Sequence, residues 1–169
     1  MDRIWGAREK RATELSTSML GAGPDGTIVV IVGGDALDAH LVSLGAHLAK
    51  GAKCQIHLLH VIEVPRTLPL KAVETSESEH ADKLLGAALE RASRVGCQAN
   101  AFIVQAREAG PAIVDEAKDH RCALLLLGHL RQDKTLQDGL GKTVAYVLAN
   151  AHCRVWLVQD RQERTATSA

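Results

Sequence analysis

The stretch Ala123–Val158, ALLLLGHLRQDKTLQDGLGKTVAYVLANAHCRVWLV, constrains this chain more than any other. An apolar run ends on Gly128 and a twelve-residue polar loop follows. Gly141-Lys142-Thr143 then opens a helix, and a second apolar run closes the unit. The pattern predicts strand, loop, helix and strand. It also predicts an anion-ready helix start, because the first amides of a helix lack internal partners.

The same alternation runs through the rest of the chain. Thr27–Val32 (TIVVIV) reads as a strand buried on both faces, and Gly33-Gly34 follows it. Asp35 or Asp38 can cap the next helix, whose Leu37, Leu41, Leu44 and Leu48 form one apolar stripe. Gly51 marks its expected stop, and Ile56–Ile62 is the second strand. Pro65 and Pro69 mark a connection, and Ser76 with Glu79 reads as a capping box. The helix behind that box carries Ala81, Leu84, Leu85, Ala88, Ala92 and Val95. Ala101–Val104 is the third strand, and Gly110-Pro111 starts a third helix. Ala123–Leu127 is the fourth strand. The fourth helix contains Thr143–Asn150 and turns Val144, Val147, Leu148 and Ala151 inward, and Val155–Val158 is the fifth strand.

Regular alternation of this kind predicts an α/β fold: a parallel sheet between two helical layers. Ligands of such sheets sit beyond the carboxyl ends of the strands, where the strand order reverses. Gly33-Gly34 and Gly128 lie at such ends. One domain over residues 25–160 accounts for the pattern. The arm 1–24 and the tail 161–169, with polar character already from Gln159, are expected to be loosely ordered.

Composition narrows the function classes. Twenty basic residues balance twenty acidic ones and aromatics make up 2%, so neither a basic footprint nor stacking platforms for nucleic acid are expected. No apolar run approaches the ~20 residues that span a bilayer. The start MDRIWGAREKR lacks the apolar core of a signal peptide. Cys54, Cys97, Cys122 and Cys153 lie at or just before predicted strands without a CxxC pair, which reads as reduced structural thiols in the cytoplasm. His57 and His60 point to opposite faces of a strand, and His40 and His47 stand nearly two helical turns apart. Neither pair has metal-ligand spacing, so strand-end or surface histidines and no metal are expected. There is no GxSxG elbow and no paired-carboxylate site, so no catalytic residue is assigned.

GLGKT invites comparison with the phosphate loop GxxxxGK[ST]. That motif needs glycine at position 136, which is Leu136, and it begins directly after its strand. A different loop fits better: Gly-x2-Gly-x9-Gly-Ser/Thr between a fourth strand and a last helix. Gly128 and Gly141 match its first and third glycines, and VAYVLANAHCRVWLV and VIEVPRTLPL match the segments around it. On these residues, over about Thr27–Gln159, the chain resembles the universal stress protein family.

The resemblance implies a three-layer α/β/α sandwich with strand order 3-2-1-4-5. It also implies an adenine-nucleotide site, for ATP or a relative with or without Mg, and slow hydrolysis at most. The implied site comprises Gly33, Gly34, Asp35, Val61, Gly128, His129, Arg131, Gly141, Lys142 and Thr143. Several positions depart from the family. Arg131 stands at the second loop glycine, Lys142 at the hydroxyl residue, and Gly33 at the adenine-holding aspartate. Two roles are open for the added charge. Arg131, Lys134, His129 and Lys142 can bind phosphate by charge, or Arg131 or Lys142 fills the anion site as a counter-ion to Asp35. The fifth strand would be an edge that pairs with its own copy, giving a homodimer through Val155, Trp156, Leu157 and Val158. Two outputs are in view: a regulatory signal, or an interaction module beside a membrane transporter or another stress-response protein.

Overall fold

β1, Thr27–Ile31, is the centre of the molecule, and four of its five residues are buried. In the computed structural model, which describes residues 25–69, 75–131 and 141–161, eight further elements surround it. They are α1 (Asp38–Ala52), β2 (Gln55–Glu63), α2 (Thr75–Arg94), β3 (Ala99–Ala106), α3 (Ala109–Asp119), β4 (Cys122–Arg131), α4 (Lys142–Asn150) and β5 (Arg154–Arg161). The sheet order is β3-β2-β1-β4-β5, and every pairing is parallel. This is the α/β sandwich that the resemblance implies. The expected arm, residues 1–24, and the tail beyond Arg161 lie outside the described residues.

The strands are apolar on both faces because each face meets helices. Ile28, Val30 and Val32 join Leu41, Ala46, Leu58, Leu85 and Leu126 in one core. Val29 joins Leu59, Ile113, Leu125, Leu127, Val144 and Val147 in the other. α1 packs beside α2, and α3 beside α4. Gly45 lets α1 approach the sheet, since a Cβ there would stand 2.6 Å from Val30 Cγ2.

Several local expectations shift. α1 passes through Gly51 and stops at Lys53, whose φ of 54° supplies the left-handed cap. α2 begins at Thr75, so Ser76 lies inside the helix and cannot be its N-cap. Pro111 sits in the first turn of α3 rather than at its start. Leu148 is 44% exposed instead of inward-facing. β4 does not end before Gly128 but continues to Arg131, and Gln159, Asp160 and Arg161 belong to β5 rather than to a tail. Their ladder, Gly128–Arg131 against Val158–Arg161, satisfies backbone groups that a free loop would leave to water. No helix among the described residues is long and apolar enough to cross a membrane.

His57 is buried rather than at the surface, packed 4.9 Å from the Phe102 ring and 4.7 Å from the His120 ring, and its Nδ1 has no hydrogen-bond partner. Burial first, and then His120, hold its pKa below the ordinary 6.5. A base with a lowered folded pKa contributes stability that is complete above pH 6.5 and is lost as pH falls toward the folded value. Melting profiles of the wild type and His57→Phe between about pH 8 and 5 should therefore differ, the variant losing less on acidification. Parallel profiles would assign the acid sensitivity to other groups.

Candidate functional site

The turn after β1 is organised around Asp38. Gly34 has φ 88°, a conformation that favours glycine, and lets the chain point three successive amides at one spot. The Asp38 carboxylate fills that spot. The Gly33 amide donates to Oδ1 at 2.9 Å, and those of Gly34 and Asp35 donate to Oδ2 at 2.7 and 3.2 Å. Asp35 instead accepts the Leu37 amide at 2.8 Å. Burial raises the Asp38 pKa, the bonds from Gly33 and Gly34 act against it, and the neighbouring Asp35 charge adds to the rise. A nest of amides is an anion site, and here the chain supplies the anion itself.

On the other side of the switch point, Gly128 lies inside β4 opposite Val158. A Cβ at this glycine would stand 2.8 Å from Leu41 Cδ1 and 3.5 Å from Leu37 Cδ1, so its open face is covered by α1. His129 is half-buried and pairs with Gln159 in the ladder. The Arg131 backbone pairs with Arg161. The Arg131 side chain, and residues 132–140 including Lys134, lie outside the described residues.

α4 opens at Gly141, with φ 75° and no side chain to accept from the first amides. Lys142 and Thr143 form its first turn, which carries no acidic residue. This is the helix end that an anion favours. Lys142 Nζ lies 3.1 Å from Glu108 Oε1, so its counter-ion is Glu108 rather than Asp35. Arg66 approaches the same carboxylate at 3.9 Å. With the Lys142 side chain 79% exposed, that pair is weak and can yield to another anion.

Val61 is half-buried in β2 opposite Val104. Beside it, His60 Nδ1 lies 2.7 Å from the Val32 carbonyl, an acceptor, so the ring donates and ties the ends of β1 and β2 together. The connection after β2 is clamped by Arg107, which donates to the carbonyls of Val64 at 3.1 Å, of Pro65, and of Leu68 at 2.8 Å. Glu63 accepts the Ala109 amide at 2.7 Å. Sequence reasoning missed Arg107 and Glu108 because no periodicity marks a side chain that binds a distant loop. Asp35 or Asp38 was expected to cap α1, but its N-cap is Leu37 with no side-chain cap bond, and Asp38 instead closes the glycine turn. Among the described residues, no group of three or more His, Cys, Asp or Glu is arranged to hold a metal.

Gly33, Gly34 and Asp35 thus follow β1, Gly128 lies within β4, and Gly141, Lys142 and Thr143 open the helix after β4, β1 and β4 being the neighbours at which the strand order reverses. Solved structures share this framework. A universal stress protein from Archaeoglobus fulgidus has 18% identity and a TM-score of 0.64, over 78% of this chain and 92% of that one. An Archaeoglobus fulgidus universal stress protein in complex with dAMP has 14% identity and a TM-score of 0.63, over 78% and 95%. An Arabidopsis thaliana family protein with AMP bound has 17% identity and a TM-score of 0.57, over 84% and 97%. None of the curated proteins compared with the sequence matches it. The sequence itself matches the universal stress protein family over residues 26–159, and with that span on this sheet the chain belongs to the universal stress protein family.

Proposed function

We propose that this protein is a dimeric, cytoplasmic regulatory module that binds an adenine nucleotide at the β1/β4 switch point. The observation that carries the reading is the start of α4, where Gly141 leaves the first-turn amides without a side-chain cap and Lys142 stands exposed beside them. Amides and a cation together suit phosphate. The dAMP and AMP complexes of structural relatives support the ligand class. Gly33, Gly34 and Val61 would line the base side, with Gly141, Lys142 and Thr143 toward the phosphates. Mg, where it accompanies the nucleotide, would be held by phosphate oxygens and water. Dimerisation is supported by the position of β5 at the sheet edge, with Val155, Trp156, Leu157 and Val158 half-buried. A light-scattering mass of one chain would remove the dimer.

A second reading has its own observation. Asp38 already occupies the glycine turn, and Leu37 and Leu41 cover Gly128. A module closed in this way would act through its surfaces, on a regulatory protein or a membrane transporter. Calorimetric titration with ATP, ADP and AMP separates the two. Saturable heat that weakens about tenfold or more in Lys142→Ala supports the nucleotide site. No heat with any of the three, and no nucleotide released on denaturing the purified protein, supports the closed module.

A further inference from the structure

The amino-terminal edge of the sheet, opposite the nucleotide end, carries all four cysteines. They fall into two neighbouring pairs, Cys54 with Cys97 before β2 and β3, and Cys122 with Cys153 where β4 and β5 begin. The second pair is built differently. The pairing of β1 with β4 slips between Thr27 and Ile28, so that Thr27 faces Cys122 while Ile28 faces Leu124. The slip puts Cys122 against the α3/α4 core, the same core that Cys153 packs on. Leu124 is paired with Arg154, so the two cysteines enter adjacent strands only two and one residues earlier. Neighbouring strands lie about 4.8 Å apart, inside the ~4.4–6.8 Å range of Cα separations that a disulfide bridges. Both thiols line one cleft of about 200 Å³ with Lys118, Arg121 and His152.

We propose that Cys122 and Cys153 form a peroxide-oxidisable dithiol that closes to an intramolecular disulfide between the starts of β4 and β5. The roles of the two sulfurs differ. A hydrogen bond between them, together with burial, pushes the Cys122 thiol up, whereas the same bond pulls Cys153 down. Cys153 stands in the bend before β5, whereas Cys122 is paired with Thr27 inside the sheet, so Cys153 is the sulfur that reacts first, on the cleft that Lys118 and Arg121 also line. Its sulfur attacks hydrogen peroxide, the O–O bond breaks, and Cys153 becomes a sulfenic acid while hydroxide leaves and takes up a proton as water. Cys122 Sγ then attacks Cys153 Sγ. The S–S bond forms, the S–O bond breaks, and the hydroxide departs with the Cys122 proton as a second water. Two thiols are oxidised and one peroxide is reduced to two waters.

Cys54 and Cys97 provide the internal control. Burial raises both, and Cys97 Sγ is directed to the Gln98 carbonyl at 3.8 Å rather than to its neighbour. Each of the four cysteines falls in a different tryptic peptide, so mass spectrometry can assign every link. The full chain, reduced and then treated with hydrogen peroxide, should give the Cys122–Cys153 peptide pair, two hydrogens lighter, at least about tenfold faster than any Cys54–Cys97 link. In Cys122→Ser the sulfenic acid has no resolving thiol, and dimedone should trap it on Cys153. Should that variant fail to fold, limited alkylation of the wild type with iodoacetamide gives the same order, Cys153 before Cys122. Separate over-oxidation of the two cysteines without a link, Cys54–Cys97 closing as fast, or Cys122 alkylating first would each overturn the proposal.

Discussion

Gly45→Leu is expected to cost about 3 kcal/mol or more and to lower the melting temperature by roughly 6–12 °C. Gly45 lies on the buried side of α1, where an added Cβ alone would meet Val30 Cγ2 at 2.6 Å, Leu126 Cδ1 at 3.2 Å and Ile56 Cδ1 at 3.3 Å. Those atoms belong to fully or almost fully buried side chains of three adjacent strands. Val30 is β-branched and stiff, so the clash cannot be relieved by one rotamer change. The helix would have to lift from the sheet and open the core along β1. The same element type supplies the opposite sign at Gly86 in α2, where an added Cβ meets nothing within 4 Å. There Gly86→Ala should stabilise by up to about 1 kcal/mol, because alanine restricts the unfolded chain more than glycine does. Thermal melts of the two variants check both. Equal shifts would mean that helix propensity, not the approach of α1 to the sheet, decides.

That contrast marks what a sequence of this kind makes legible. Alternating apolar runs and helical stripes located the five strands and four helices of the described residues, because burial on both faces writes itself into consecutive Val, Leu and Ile. The glycines look alike in the sequence and differ only through their neighbours. Gly51 read as a helix stop, yet α1 continues past it and Lys53 takes the left-handed position two residues later. Gly45 carried no signal, although it sets the spacing of helix and sheet. The site follows the same division. That Gly33 and Gly34 follow β1 was readable from the pattern, whereas Gly128, read as the end of β4, lies within that strand under α1. That Asp38 turns back to close the first loop depended on local side-chain geometry, and that Lys142 pairs with Glu108, just before α3, depended on reach across elements distant in the chain. Strand ends were read too short for a related reason. Apolar periodicity stops at Leu127, but ladder hydrogen bonds carry β4 on through polar residues to Arg131.

Gly128 separates packing from ligand binding most sharply, since the family's loop motif assigns this glycine to a nucleotide while the structure covers it with α1. Gly128→Ala is expected to cost about 1–3 kcal/mol through its 2.8 Å approach to Leu41 Cδ1. A strand interior otherwise gains from losing glycine, so any observed loss measures the clash. Leu41 is 1% exposed and has no solvent side into which it can turn. Leu41→Ala alone should cost about 2–5 kcal/mol by leaving a cavity in the α1/α2 core. In the double variant the new methyl group enters space that the leucine vacated. The two costs should then fall short of their sum by on the order of 1 kcal/mol, the size of coupling expected for residues in contact. Chemical denaturation of the four proteins measures this cycle without any ligand present. Strict additivity would show that α1 does not rest on Gly128 in solution. Coupling of the expected size means that a nucleotide reaching Gly128 on this face must first displace Leu41, so its affinity would fall by the cost of that displacement.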